Sequence, residues 1–173
     1  MSATAESFRL ARMSPLLLIL TLGLLGLPVA FLTIAMFGKG LFAIPALLIV
    51  GTYSWVWLRF RPTVFVVRPG VLEVVWPLKR REIRSNDISD VRLIDRRELR
   101  DNVGWCMRVG AGGLWGGFGW LWTQRRGVVQ IYVSRTDRFV WIERVGDRPW
   151  LITPERPEAF VRALLNARVQ SPA

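Results

Sequence analysis

The chain has 173 residues and a formal charge of +11, almost all of its base being arginine, with no histidine and a single cysteine, Cys106. That length leaves room for a pair of long apolar helices and one small domain. Without imidazole, and with one thiol, the chain has no intramolecular disulfide, no Cys/His metal centre of the usual spacing and no histidine-based catalysis, so no cofactor, no metal and no catalytic residue is expected.

Residues 1–15 read as a polar cytoplasmic tail ending in Ser14-Pro15, with Pro15 suited to a first helical turn. Two apolar runs follow, Leu16 to Phe37 and Leu41 to Leu58, separated by Gly38-Lys39-Gly40. As helices they span roughly 33 and 27 Å, enough for a transmembrane hairpin over residues 16–58. Arg9 and Arg12 give the start the look of a signal peptide, but the run is too long for a signal core and a second follows directly, which predicts a retained anchor. Pro28 and Pro45 lie inside the runs and are expected to kink them, with neighbouring groups satisfying the freed carbonyls. Arg9 and Arg12 before the hairpin and Arg59 and Arg61 after it outweigh Lys39 in its turn, which puts both termini on the cytoplasmic side of the cell membrane. Tyr53, Trp55 and Trp57 fall where an interfacial aromatic belt belongs, and Arg59 and Arg61 beside them complete the interfacial anchor.

Beyond Pro62 the pattern changes to that of a β domain, residues 63–170. Strands are predicted at 63–68 and 71–76 around the Pro69-Gly70 turn, then at 78–84 and 91–94. The charged run Asp95 to Asp101 reads as an exposed connection or a helical turn. Six of the ten residues from Gly110 to Gly119 are glycine, interleaved with Leu114, Trp115 and Phe118, and Trp120-Leu121-Trp122 follow. Strands at 128–134 and 138–144 read as a pair joined by Arg135-Thr136-Asp137, with a short one at 150–153. Phe160, Val161, Leu164 and Leu165 form one face of a closing helix at 157–168. Cys106, between Trp105 and Met107, reads as a small buried hydrophobe.

A twin-helix anchor, strands, the block GGLWGGFG, two more strands and then RPWLITPERPEAFVRAL is an order that resembles the bacterial pleckstrin-homology-like (PH-like) domain proteins with two N-terminal transmembrane helices. The resemblance covers residues 63 to about 168 together with the anchor. It implies a bent antiparallel barrel or sandwich of about seven strands capped by a C-terminal helix, and no catalytic residues. Relatives usually carry Ser-Pro and then acidic residues before the last helix; here Arg156 stands where an acidic cap is expected.

The glycine block matches neither a dinucleotide fingerprint nor a Walker sequence, so nucleotide binding is not expected. Two readings stand for it: a glycine-bent strand pair that packs Leu114, Trp115 and Phe118 against the domain, or a loop that dips these residues into lipid headgroups. Lys79, Arg80, Arg81 and Arg84 form a basic cluster, either a solvated edge strand or a contact to anionic lipid. Nucleic acid is not an expected partner, because no reader motif accompanies the charge. The expectation is a non-catalytic, membrane-anchored module that presents its β domain to a protein partner, with a sensor of anionic lipid as the alternative.

Overall fold

A computed structural model describes residues 5–38 and 40–169; Lys39, expected in the turn of the helix pair, lies outside the described residues. In chain order the elements are β1 (Glu6–Arg9), α1 (Pro15–Met36), a short 3-10 turn (Gly40–Phe42) and α2 (Ala43–Phe60). Then come β2 (Val64–Arg68), β3 (Val71–Val75), β4 (Arg80–Arg84), β5 (Ile88–Ile94), α3 (Arg96–Val103), β6 (Cys106–Gly112) and β7 (Gly117–Thr123). The chain ends with β8 (Gly127–Val133), β9 (Phe139–Arg144), β10 (Trp150–Ile152) and α4 (Pro157–Val169).

The strands form a four-stranded sheet, β1-β2-β3-β4, and a six-stranded sheet, β5-β9-β10-β8-β7-β6. Between them Phe65, Leu72, Trp76, Ile142 and Trp150 build the main core, which α4 closes with Phe160 and Leu164. The other face of the larger sheet carries a second core, Ile131, Trp141 and Leu151 among it, under α3. The mainly-β domain with a terminal helix is therefore present, but as two sheets with ten strands among the described residues rather than about seven. Nor is it wholly antiparallel. The strands expected to pair as a hairpin, β8 and β9, are held apart by β10, which runs parallel to β8 and antiparallel to β9. Trp150 and Ile152 are apolar enough to be worth burying there, and a three-residue strand fills the slot.

The expected polar tail is the clearest correction. Glu6–Arg9 pairs with Val64–Val67, and Phe8 is buried edge-on against Phe160 at 5.3 Å, with the Arg156 guanidinium 5.4 Å from its ring. Arg156 thus lies over a core aromatic ring, while Glu158 supplies the acid in the first turn of α4. The next residues are stitched in as well. Ala11 donates its N–H to the Thr153 carbonyl at 2.9 Å, Glu155 donates to the Arg9 carbonyl at 2.8 Å, and the buried Ser134 hydroxyl donates to the Ala11 carbonyl at 2.6 Å. Helix α1 starts four residues after Ala11, so it leaves the domain with almost no slack.

The helix pair is long and apolar enough to cross a membrane, and most of its leucines and isoleucines are exposed. Pro28 lies inside α1, whereas Pro45 falls in the first turn of α2, where a missing N–H costs little. Pro28 leaves the carbonyl four residues earlier, Leu24, without its helical donor. The Tyr53 hydroxyl of α2 donates to it at 3.0 Å, so this tyrosine repairs the proline site.

A second joint ties helices to domain. The turn between β6 and β7 rests on α1, where the buried Thr21 hydroxyl accepts the Trp115 N–H at 2.9 Å. Its own proton faces the Leu17 and Gly113 carbonyls at 2.7 and 2.9 Å. Trp115 is then set edge-on to Trp57 of α2 at 4.6 Å. Thr21→Val keeps the shape and removes the acceptor, leaving a covered N–H unpaired. We expect a loss of about 1–3 kcal/mol, measured by thermal unfolding of the full chain in zwitterionic nanodiscs, with Thr21→Ser close to the parent.

Candidate interaction surfaces

The β6–β7 hairpin carries the glycine block, and its geometry resolves that block in an unexpected way. Phe118 is fully buried in the main core and Leu114 is covered, so neither lies on an exposed loop; Trp115 sits in the cleft between the two helices, beside Tyr53 and Pro28. The tip packs on the helix pair, which the sequence does not show because the partner residues lie some ninety positions away. Gly110 and Gly119 face one another across the strands at φ 137° and 128°. A Cβ on either would meet the other strand's backbone carbonyl, so the two strands close up only as glycines.

Farther along, the hairpin's two faces diverge. Trp120 and Trp122 share the face of Phe118 but extend past what covers it. Val109 and Met107 lie directly across from them, with Trp105 just beyond. Trp105 is 71% and Trp122 54% exposed, unusual for tryptophan, and all five side chains are in contact with solvent. β6 is also the outer strand of its sheet, so one row of its backbone groups is unpaired. This patch was missed in the sequence, although the Trp-Leu-Trp alternation held the signal: Leu121 turns inward and the two tryptophans outward. On the opposite face of β6 stand Arg108 and Cys106. Cys106 is exposed, contrary to the buried hydrophobe expected, because an edge strand has no neighbour to cover it.

The expected basic cluster lies on and beside β4, the free edge of the smaller sheet. Its charges are unequally engaged. Arg80 is 3.6 Å from the buried Glu73 carboxylate, which Arg68 also holds at 3.1 Å. Arg81 pairs with Asp147 at 3.2 Å, and Arg144 meets the same carboxylate at 2.6 Å. Arg84 has no acid within reach among the described residues. Lys79 stacks over Trp76 at 4.5 Å, and burial, followed by repulsion from Arg59 and Arg81, pushes its pKa down. Arg61 lies over Trp57 at 4.2 Å, whereas Trp55 is exposed.

Two exposed acids are held by arginine. Asp147 is held below the carboxylate range first by the Arg148 N–H and then by Arg144 and Arg81, and Asp137 by its hydrogen bonds from Arg135. Both are ionised partners of arginine. Among the described residues no three Cys, Asp or Glu converge as metal ligands.

Behind Arg81 and Arg144 lies an aromatic column, Trp76, Tyr132 and Trp150, with successive ring centroids 5.5 Å apart. Burial pushes the Tyr132 pKa up to about 12. The unfolded chain loses this proton near pH 10, so Tyr132 contributes stability fully below that pH and loses it as pH rises to about 12. Titrating tyrosinate absorbance should show an ionisation step near pH 12 that belongs to Tyr132. Tyr132→Phe should remove that step and flatten the alkaline fall in stability by roughly 2 kcal/mol.

The model of the family described as the bacterial PH domain matches residues 63–168. No curated protein and no solved structure gives a match. The matched stretch starts just before β2 and ends in α4, so it takes in both sheets except β1, which the segment ahead of the helix pair supplies. With more than half of its length matched, the chain belongs to the bacterial PH domain family.

Proposed function

We propose that this chain is a membrane-tethered interaction module without catalytic activity, which takes a protein partner on the β6–β7 face of its PH domain at the cytoplasmic surface of the cell membrane. The observation that carries the reading is the row of Trp105, Met107, Val109, Trp120 and Trp122, exposed beside an unpaired strand edge. Large aromatic side chains supply most of the energy of protein docking sites, and a free strand edge accepts an added strand through its backbone. The tether is supported by two apolar helices whose hydrocarbon surface is largely exposed, and by arginines at both of their domain-side ends. The comparisons support the interaction role, PH domains being in general non-catalytic binding modules.

A second reading has its own observation. Lys79 and Arg81 lie at the free edge of the smaller sheet, which in the tethered arrangement would meet anionic headgroups, and Arg59 and Arg81 both bear on Lys79 by repulsion. Each such charge is worth about 1 kcal/mol at an anionic surface, and Arg80 and Arg84 extend the patch along β4.

A photo-crosslinking residue placed at Val109, activated in native membranes, is expected to give a discrete protein adduct. Trp105→Ser with Trp122→Ser should abolish it while leaving the thermal midpoint nearly unchanged, since these are the two most exposed rings of the row. Lipid adducts alone would overturn the partner reading. The lipid reading then requires that Lys79→Glu with Arg84→Glu weaken the domain's hold on anionic vesicles.

A further inference from the structure

We propose that the cavity between α3 and the six-stranded sheet is a binding site for a single-chain anionic amphiphile, a carboxylate or phosphate head on one acyl tail. The cavity has a volume of about 300 Å³, the lower end of the range for small-ligand sites. Its floor is hydrocarbon, from Leu121, Ile131, Val133 and Leu151, and Leu99 and Val103 of α3 form the roof. Arg96 and Arg100 of α3, Arg108 of β6 and Arg135 stand around it.

Only one of these four cations is neutralised. Arg135 holds Asp137 with two hydrogen bonds, of 2.7 and 2.6 Å. Arg96, Arg100 and Arg108 have no carboxylate within ion-pair distance among the described residues. Arg96 and Arg100 are four residues apart on one helix, a like-charge spacing that costs stability unless an anion bridges it. Arg108 reaches the site because Gly117 is glycine: a Cβ there would press on its guanidinium at 3.0 Å. A bare anion would leave the hydrocarbon floor unfilled, and a neutral hydrocarbon would leave three guanidinium groups without a counter-charge. An acyl chain with an anionic head answers both. The cavity lies on the opposite face of β6 from Met107 and Val109, so it is separate from the docking face and stands whether or not that face takes a partner.

Leu17, in the first turn of α1, lines the cavity and marks where such a molecule would enter from a bilayer. This route rests on the tethered reading; the binding chemistry does not. Cys106 also lines the cavity and, as the chain's one thiol, reports on it directly.

The full chain in phosphatidylcholine nanodiscs is treated with a maleimide and the rate of Cys106 modification is followed. Dodecyl phosphate is expected to slow it saturably, roughly tenfold at about ten times its dissociation constant. Inorganic phosphate and dodecyltrimethylammonium should leave the rate unchanged. Leu121→Trp, which fills the cavity, and Arg100→Glu with Arg108→Glu, which reverses its charge at exposed positions, should each abolish the protection. Protection in nanodiscs doped with lysophosphatidic acid assigns the ligand to the bilayer; protection only by added dodecyl phosphate assigns it to the aqueous pool. No effect of dodecyl phosphate, equal protection by the cationic amphiphile, or protection that survives both sets of substitutions would overturn the proposal.

Discussion

The Thr21 hydroxyl is the contact on which the arrangement of this protein depends. An apolar helix has nothing to offer a β turn except dispersion, because its backbone groups are already paired. A threonine in such a helix ordinarily bonds back to the carbonyl four residues earlier, as Thr33 and Thr52 do here. Thr21 keeps that bond within reach and accepts a second from Trp115. One polar atom thus joins the tip of a whole hairpin, itself laddered to β8, to the helix. Once the tip is placed, the alternation of a strand does the rest: Arg108 and Leu121 must face α3, and Met107, Val109, Trp120 and Trp122 must face away.

The two faces of one hairpin consequently differ in chemistry for a single geometric reason. The smaller sheet is four strands wide and the larger six, so the inner face of the larger sheet outruns its cover. Phe118, near the helix pair, is buried; Trp120 and Trp122, a few residues along on the same face, are not. The outer face would be bare too, but α3 is laid across it. That helix is short and strongly charged, capped by Asp95, whose side chain accepts the Glu98 N–H at 2.7 Å. With only Leu99 and Val103 to offer the sheet, it covers the second core without filling the space beneath, and the cavity is the remainder.

The long apolar runs, most of the strand positions and the last helix were legible in the sequence because each is a local periodicity. What was not legible depended on distant partners. Glu6–Arg9 alternates too briefly to read as a strand and becomes one only because β2 offers an edge. The insertion of β10 between β8 and β9 leaves no local trace, since each strand looks the same whichever neighbour it has. Tyr53 suggested an interfacial belt by position, while its hydroxyl answers a carbonyl that a proline freed on the other helix. For the candidate sites, the basic residues of β4 were visible as composition, but not that Asp147 and Glu73 engage Arg81 and Arg80. The exposed tryptophans and the cavity required knowing how far one sheet covers another.

How the domain is joined to the helices bears on how it would work. A domain on a flexible linker meets a partner in every orientation, and docking must then fix that orientation at a cost in entropy. Here there is little such freedom to lose. The segment ahead of α1 is bonded to residues 134, 153 and 155, the segment behind α2 enters β2 after three residues, and the hairpin tip lies across both helices. In the proposed membrane setting the docking face is therefore presented at one fixed attitude to the bilayer. A soluble partner gains little from this, because it must still surrender its own orientation. A partner that is itself anchored in the bilayer has already lost most of that freedom, and gains the most from a face that does not turn. In that proposed setting, the Thr21 joint would favour partners held in the same membrane.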